Sequence, residues 1–560
     1  MTEMALRQYL QINGCIANQG VRDCCGTGEI SIRELLSSLH GWVDMHTHPM
    51  AHLAFSGKLI HGCPDVGSLL PADSQCQKGV RAKNMEHALC DDRSTHAGWG
   101  LFLDNPCGDP SRQAVIDALQ DQNKAYKTPD GARGAPDFPD WPRWNDITHQ
   151  KMWIDWIRRA YSGGLRVMVA LAVHNQTLAA AVGGNGDGPM DDKASGGLQI
   201  KEIKDLAGRH SDFMEVAYSS TDLRRIVRAN RLGIVLGVEL DAFGNFHKGT
   251  NPTLAMVRDE LIRLYEMGVR YIFPIHVIDN KLGGTAVYEG GFDTSNYREY
   301  GDFWSLECSK PEDKITYQYA PSSFDLAVAA VKLVKLSIDP LRNPPMPPHC
   351  DSGTGHMNRK SLTPLGENAL KEMMKLGLMI DIDHMSQKSA NRALELAEAV
   401  EQGGYPLNAG HNGPRSVAPT PNENQRTDEQ LQKIADLGGM LGLGIAEAKP
   451  AEFIDAYQVA RKEMRNRPIG LGTDINGLVK GPQPVPDSIT YNSEFTRCTT
   501  GAKTWDYNVD GVAHYGMLPD FLRAVVTCPD GKIVNSALNR SAHTFVQMWE
   551  KCEVQKSKVK

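Results

Sequence analysis

No Cys-x-x-Cys pair occurs among the twelve cysteines of this 560-residue chain, which removes the ligand spacing of a zinc ribbon. No apolar run is long enough for a bilayer; stretches such as LRVMVALAV fall well short of the ~20 residues a spanning helix needs. Charge of neither sign dominates. The formal net charge is −7 with 23% charged residues, so nothing in the balance points to nucleic acid or an anionic membrane. The N-terminal MTEMALRQYLQINGC lacks the basic stretch and apolar core of an export signal. Free thiols and a cytoplasmic protein are therefore expected, although a trimmed secreted chain would read the same. No repeat of solenoid period is present. The glycine-rich VGGNGDGP at Val182 opens no helix, so it reads as a loop rather than a phosphate cradle.

What the chain does contain is a series of short apolar runs, each closed by a polar or small residue. They are WVDMH to His46, LRVMVALAVH to His174, GIVLGVE to Glu239, VRYIFPIH to His276, GLMIDIDH to His384, PLNAGH to His411, GGMLGLG to Gly444 and PIGLGTD to Asp474. Apolar on both faces, they read as eight buried parallel strands. Helical patterns lie between most of them. One is LTPLGENALKEMMKLG, stopping at Gly377; others follow Ser386 and Thr427 as N-caps. Strands alternating with helices predict a (β/α)8 TIM-type barrel. The chain exceeds the ~250 residues of a minimal barrel. The reading is an N-terminal extension at 1–40, a barrel at 41–545 with insertions at about 50–164, 280–361 and 478–515, and a C-terminal tail at 546–560. Insertions after strand ends fall on the C-terminal, active-site face, where they would build walls and a lid.

In such a barrel the strand ends converge on one mouth. They bring His46, His48, Glu239, His276, His384, His411 and Asp474 there. Alternate residues of a strand share a face, so His46 and His48 can grip one ion together. Imidazoles with carboxylates suit two divalent ions, zinc among them, sharing Glu239 as a bridge and holding a hydroxide between them. Any one of these residues alone reads as a satisfied surface or core group. Their joint occurrence at separate strand ends is what points to a metal centre. His52, His61, His87, His96 and His149 lie in loop-like sequence and read as surface residues or supporting groups.

The motifs LTPLGENALKEMMKLGLMIDIDHMS, LNAGHNGPRSV, RTDEQLQKIADLGGML and IGLGTDING resemble those of the membrane (renal) dipeptidases and their bacterial relatives in the amidohydrolase superfamily. AHLAFSGKLIHGCPDVGSL and GVAHYGMLPDFL look like an extended bacterial branch. The resemblance implies that His384 and His411 bind one ion, and that His46, the residue at position 48 and Asp474 bind the other. It implies that Asp474 takes the proton of the bridging water, that His276 steadies the oxyanion, and that Arg426 holds a substrate carboxylate. One departure is clear. The family carries His-x-Asp on the first strand where this chain has His46-x-His48, which removes one negative charge and bears on the substrate.

Three functions follow. The first is metal-dependent hydrolysis of an amide bond in a dipeptide or dipeptide-like small molecule through a metal-bridging hydroxide. The second is the same chemistry on a non-peptide amide, lactam or specialised metabolite, favoured by His48 and the insertions. The third is a catalytically inactive binding protein, which the retained ligand set argues against. The partner implied is a small molecule; a homo-oligomer is left open.

Overall fold

The computed structural model describes residues 39–71, 79–89, 135, 137–138, 142–181, 188–320 and 345–560, with the backbone of three short antiparallel strands before residue 39. The first fifteen residues, the glycine-rich 182–187, His96, and Cys15, Cys24, Cys25, Cys76, Cys90 and Cys107 lie outside the described residues.

All eight apolar runs form strands. They are β1 (Trp42–Thr47), β2 (Leu165–His174), β3 (Leu232–Leu240), β4 (Tyr271–Phe273), β5 (Met379–Asp381), β6 (Leu407–Ala409), β7 (Met440–Gly444) and β8 (Gly470–Gly472). Each pairs in parallel with the next, β8 pairs with β1, and β2 with β3, so the sheet closes on itself as an eight-stranded barrel. The closed sheet is the expected (β/α)8 architecture. A further strand, Met214–Val216, pairs with Leu232–Ile234. It occupies the edge of β3 below Gly237, where β3 starts to pair with Tyr271 of β4.

Side-chain size sets how closely the last strands approach. A Cβ at Gly442 would lie 2.0 Å from the Gly410 carbonyl oxygen, and one at Gly472 would lie 2.1 Å from the same atom. Glycine at both positions lets β6, β7 and β8 crowd together beneath the turn that carries His411.

The principal helices are α1 (Ile154–Ser162), α2 (Asp192–Arg209), α3 (Ser220–Arg228), α4 (Leu254–Glu266), α5 (Pro364–Leu376), α6 (Gln387–Glu398), α7 (Asp428–Asp436), α8 (Pro450–Glu463), α9 (Leu518–Thr527), α10 (Gly531–Leu538) and α11 (Ser541–Gln555). The predicted caps hold. The Ser386 side chain accepts from the Ser389 amide, Thr427 and Gln430 form a capping box, and Gly377 ends α5 at φ 76°.

Three features differ from the sequence reading. Residues 154–162, assigned to an insertion, form α1 with Trp156 and Ile157 buried. Residues from 546, set apart as a tail, continue α11, and Trp549 and Cys552 are buried. The start of α11 closes the bottom of the barrel: the Val43 amide donates to Ser541 Oγ and the Ala542 amide to the Gly41 carbonyl. Finally, Cys308 and Cys350 form a disulfide rather than free thiols, whereas Cys63, Cys498, Cys528 and Cys552 are free. The strand Leu306–Cys308 pairs antiparallel with His356–Asn358, which brings the two cysteines to a Cα separation of 5.4 Å. No helix among the described residues is long and apolar enough to cross a membrane.

Candidate metal centre

At the C-terminal end of β1, His46 and His48 direct their Nε2 atoms to one point, 3.0 Å apart. Glu239, near the end of β3, meets them from across the mouth. Its Oε2 lies 3.2 Å from His46 Nε2 and 3.3 Å from His48 Nε2. The other oxygen, Oε1, lies 3.2 Å from Nε2 of His384, which follows β5. Asp474, after β8, places Oδ1 3.1 Å from His48 Nε2 and 3.6 Å from His46 Nε2. The His411 ring, after β6, sits 3.9 Å from that of His46 and 4.7 Å from that of His384 between ring centroids. These side chains compose three groups with metal-ligand spacing: His46, His48 and Glu239; Glu239, His384 and His411; and His46, His411 and Asp474. Glu239 belongs to two of them, one through each oxygen.

The donor set fits divalent ions. Glu239 Oε1 is buried and takes part in no hydrogen bond among the described residues. This holds although an imidazole nitrogen is within 3.2 Å. Two lone pairs facing each other at that range are accounted for by a cation between them. His384 and Asp474 carry φ values of 65° and 50°, a left-handed backbone that side chains rarely adopt. Such strain is held where the surroundings fix it, commonly at functional sites.

Charge in this buried mouth is strongly biased. Burial lowers the His46 imidazole to about 4, helped by the neighbouring His411. Burial acts on His48 in the same sense, but the hydrogen bonds and charges of Asp474 and Glu239 prevail and raise it to about 10. Burial would raise Glu239, yet the surrounding imidazoles hold it well below the ordinary carboxylate range.

A ring of supporting groups orients the imidazoles, and sequence reasoning missed most of it. Asp241 Oδ1 lies 2.7 Å from His276 Nδ1 and also accepts from the Val277 amide, which leaves His276 Nε2 facing Glu239 Oε1 at 3.6 Å. Asp383 Oδ2 lies 3.2 Å from His411 Nδ1 and accepts from the His411 amide. The Tyr288 hydroxyl, from the insertion after β4, lies 3.1 Å from His384 Nδ1. Asp241 was legible in principle, because it sits two residues beyond Glu239 and so shares its face. Tyr288 had no such signal.

Arg426 is the site residue that the structure places elsewhere. It is fully buried, its guanidinium donates to the backbone carbonyls of Asn424 and Glu423, and it is absent from the cavity wall. The loop from Asn412 to Gln425 folds back over it; its Nε also lies 3.8 Å from Asp383 Oδ1, and its Nη1 is buried with no hydrogen-bond partner among the described residues. The His174 ring likewise serves structure, accepting from the Phe55 amide. Of the histidines read as surface residues or supporting groups, His52 and His149 are buried in the packed interior of the first insertion.

Above the ligand groups lies a cavity of about 430 Å³. Phe55, Leu178, Phe292 and Ile445 supply apolar wall, and Asn175, Asn412, Asn424 and Gln425 supply amides. A cavity of this size takes a small molecule.

Residues 346–497 match the family model described as membrane dipeptidase (peptidase family M19). Dipeptidase 3 of Mus musculus is 29% identical over 144 residues, 24% of this chain and 28% of that protein. Dipeptidase ataJ of Aspergillus terreus is 21% identical over 299 residues, 52% of this chain and 57% of that protein. The chain thus spans under a third of the first relative and little more than half of the second. A solved amidohydrolase from Pseudomonas aeruginosa aligns at a TM-score of 0.40 and 15% identity, covering 71% of this chain and 92% of that one.

Proposed function

From this resemblance to the membrane dipeptidases, carried by residues 346–497, we propose that the chain hydrolyses the amide bond of a dipeptide or dipeptide-like small molecule at the mouth of its barrel. The observation that carries the reading is the sharing of Glu239, one oxygen toward His46 and His48 and the other toward His384. His46, His48 and Asp474 would hold one divalent ion, His384 and His411 the second, and Glu239 both. Two zinc or similar ions bound there would supply a bridging hydroxide as nucleophile and polarise the scissile carbonyl.

The protein's own residues account for the rest. Asp474 Oδ1 is beside the His46 and His48 nitrogens. That position supports a role in accepting the proton of the attacking water and passing it to the departing nitrogen, since an amide leaves poorly as an anion. His276, held through Nδ1 by Asp241, presents Nε2 to the oxygen that gains charge as the carbonyl carbon becomes tetrahedral. The net change is cleavage of one C–N bond by one water, giving a carboxylic acid and an amine. The Cys308–Cys350 bridge supports an oxidising compartment rather than the cytoplasmic setting expected from the sequence.

Chelation is expected to abolish turnover of a dipeptide panel, and zinc or another divalent ion to restore it. Full turnover by protein shown to be metal-free would overturn the proposal. Metal binding without cleavage of any small amide would favour an inactive binding protein instead.

A further inference from the structure

Resting on the hydrolase reading above, we infer that the preferred substrate is an amine-bearing small amide with no free carboxylate: a dipeptide-like molecule whose carboxyl end is blocked. The cavity wall carries the inference. Among the described residues that line it there is no lysine and no arginine. An ordinary dipeptide brings a carboxylate as well as an ammonium, and a carboxylate drawn out of water needs a charged or multiple hydrogen-bonding partner to offset its desolvation.

The cations nearest the cavity are engaged elsewhere. Arg426 is fully buried behind the wall, donates to Asn424 O at 2.6 Å and Glu423 O at 3.2 Å and lies 3.8 Å from Asp383 Oδ1; only its Nη1 is without a hydrogen-bond partner among the described residues. Arg415 donates to Asp313 O at 2.7 Å and Gln425 O at 2.9 Å. Lys480, next to the wall residue Val479, pairs with Glu447 at 3.1 Å. Releasing either arginine would leave loop carbonyls without donors, so neither is available without refolding the loop. In place of a cation the wall offers neutral amides. Asn412 Nδ2, a buried donor with no acceptor among the described residues, can meet an amide carbonyl.

The charged group that the rim does offer has the opposite sign. Glu289 lines the cavity from the insertion after β4 and forms no ion pair among the described residues; its Oε1 accepts only a long bond, 3.3 Å, from the Gly291 amide. An unpaired carboxylate at a rim where no lysine or arginine lines the wall among the described residues attracts an ammonium and repels a carboxylate. The substrate that satisfies both ends has an amine toward Glu289 and an uncharged, amide-like end toward Asn412.

A matched pair of substrates tests this. Zinc-loaded protein is given alanyl-phenylalanine or alanyl-phenylalanine amide, and release of alanine is followed. The two differ only at the carboxyl end, and each yields alanine by hydrolysis of the same bond. The expected result is a kcat/KM at least tenfold higher for the amide, with Glu289→Gln raising its KM severalfold while kcat is retained. Equal rates, or a preference for the free acid, would overturn the inference and leave the hydrolase reading standing. An unchanged KM in Glu289→Gln would overturn the role given to Glu289. Cleavage of neither compound by protein shown to hold its metal would overturn both readings.

Discussion

Glu239 divides its two oxygens between two ligand groups, so its charge matters twice. Glu239→Gln is expected to lower metal content at both positions, read by elemental analysis after dialysis against a weak chelator; loss from one position alone would remove Glu239 as the shared ligand. Asp474 has a separable role. Asparagine there can still offer an oxygen to an ion but cannot accept a proton. Asp474→Asn should keep the fold and at least one ion while kcat falls by roughly 10²–10⁴-fold. Near-normal kcat in the folded variant would send the proton elsewhere. Tyr288 touches the far nitrogen of His384, and partners of this kind fix the ring and the tautomer of a ligand histidine. Tyr288→Phe should weaken binding at the His384 group by about 10–100-fold in chelator competition; unchanged affinity would make the contact incidental. The strand-end residues were legible because an apolar run that stops at a histidine or carboxylate is visible in one dimension. Tyr288, Asp383 and the inward-turned Arg426 were not, because their roles depend on which loop lies against which strand end.

At the scale of elements, local chemistry decided what could be read. All eight strands were visible as buried apolar runs, and α5, α6 and α7 were visible with their caps. The α2 helix was not recognised: Gly196 and Gly197 sit inside it, and paired glycines argue against a helix until tertiary packing overrides them. The Cys308–Cys350 bridge joins positions 42 apart with no periodic cue between them. Anchoring of the first insertion was equally hidden. Asp65, in that insertion, accepts from Arg209 Nε at 2.6 Å and lies 3.2 Å from His210, both at the end of α2. Burial would raise its carboxyl, but the hydrogen bonds and charges of His210 and Arg209 hold it at about 2. A depressed folded-state pKa gives stability that is fully present above the unfolded value near 4 and lost as pH falls through about 2. Asp65→Asn should therefore cost about 1–2 kcal/mol near pH 6 and lose that difference toward pH 2. Chemical denaturation at the two pH values measures it, and an equal deficit at both would deny the ion pair its role.

The whole molecule is a closed parallel barrel whose strand ends gather the ligand groups and whose insertions build the cavity above them. The second insertion contributes Tyr288, Glu289 and Phe292 to that cavity, and the segment after β8 contributes Leu478 and Val479. Closure is what makes β1 and β8 neighbours, and so sets Asp474 beside His48 although 426 residues separate them in the sequence. The general architecture could be read from alternation of strand and helix. The shape of the cavity could not, because it is set by irregular segments whose course follows from tertiary contacts. The central claim is that one carboxylate joins two metal positions at the mouth. An anomalous-scattering map of crystals grown with zinc, recorded at the zinc absorption edge, tests it most directly. The account predicts two peaks about 3.5–4 Å apart, one on either side of the Glu239 carboxylate, the first among His46, His48 and Asp474 and the second against His384 and His411. A map with no peak at Glu239, or with its zinc bound away from these residues, would contradict it.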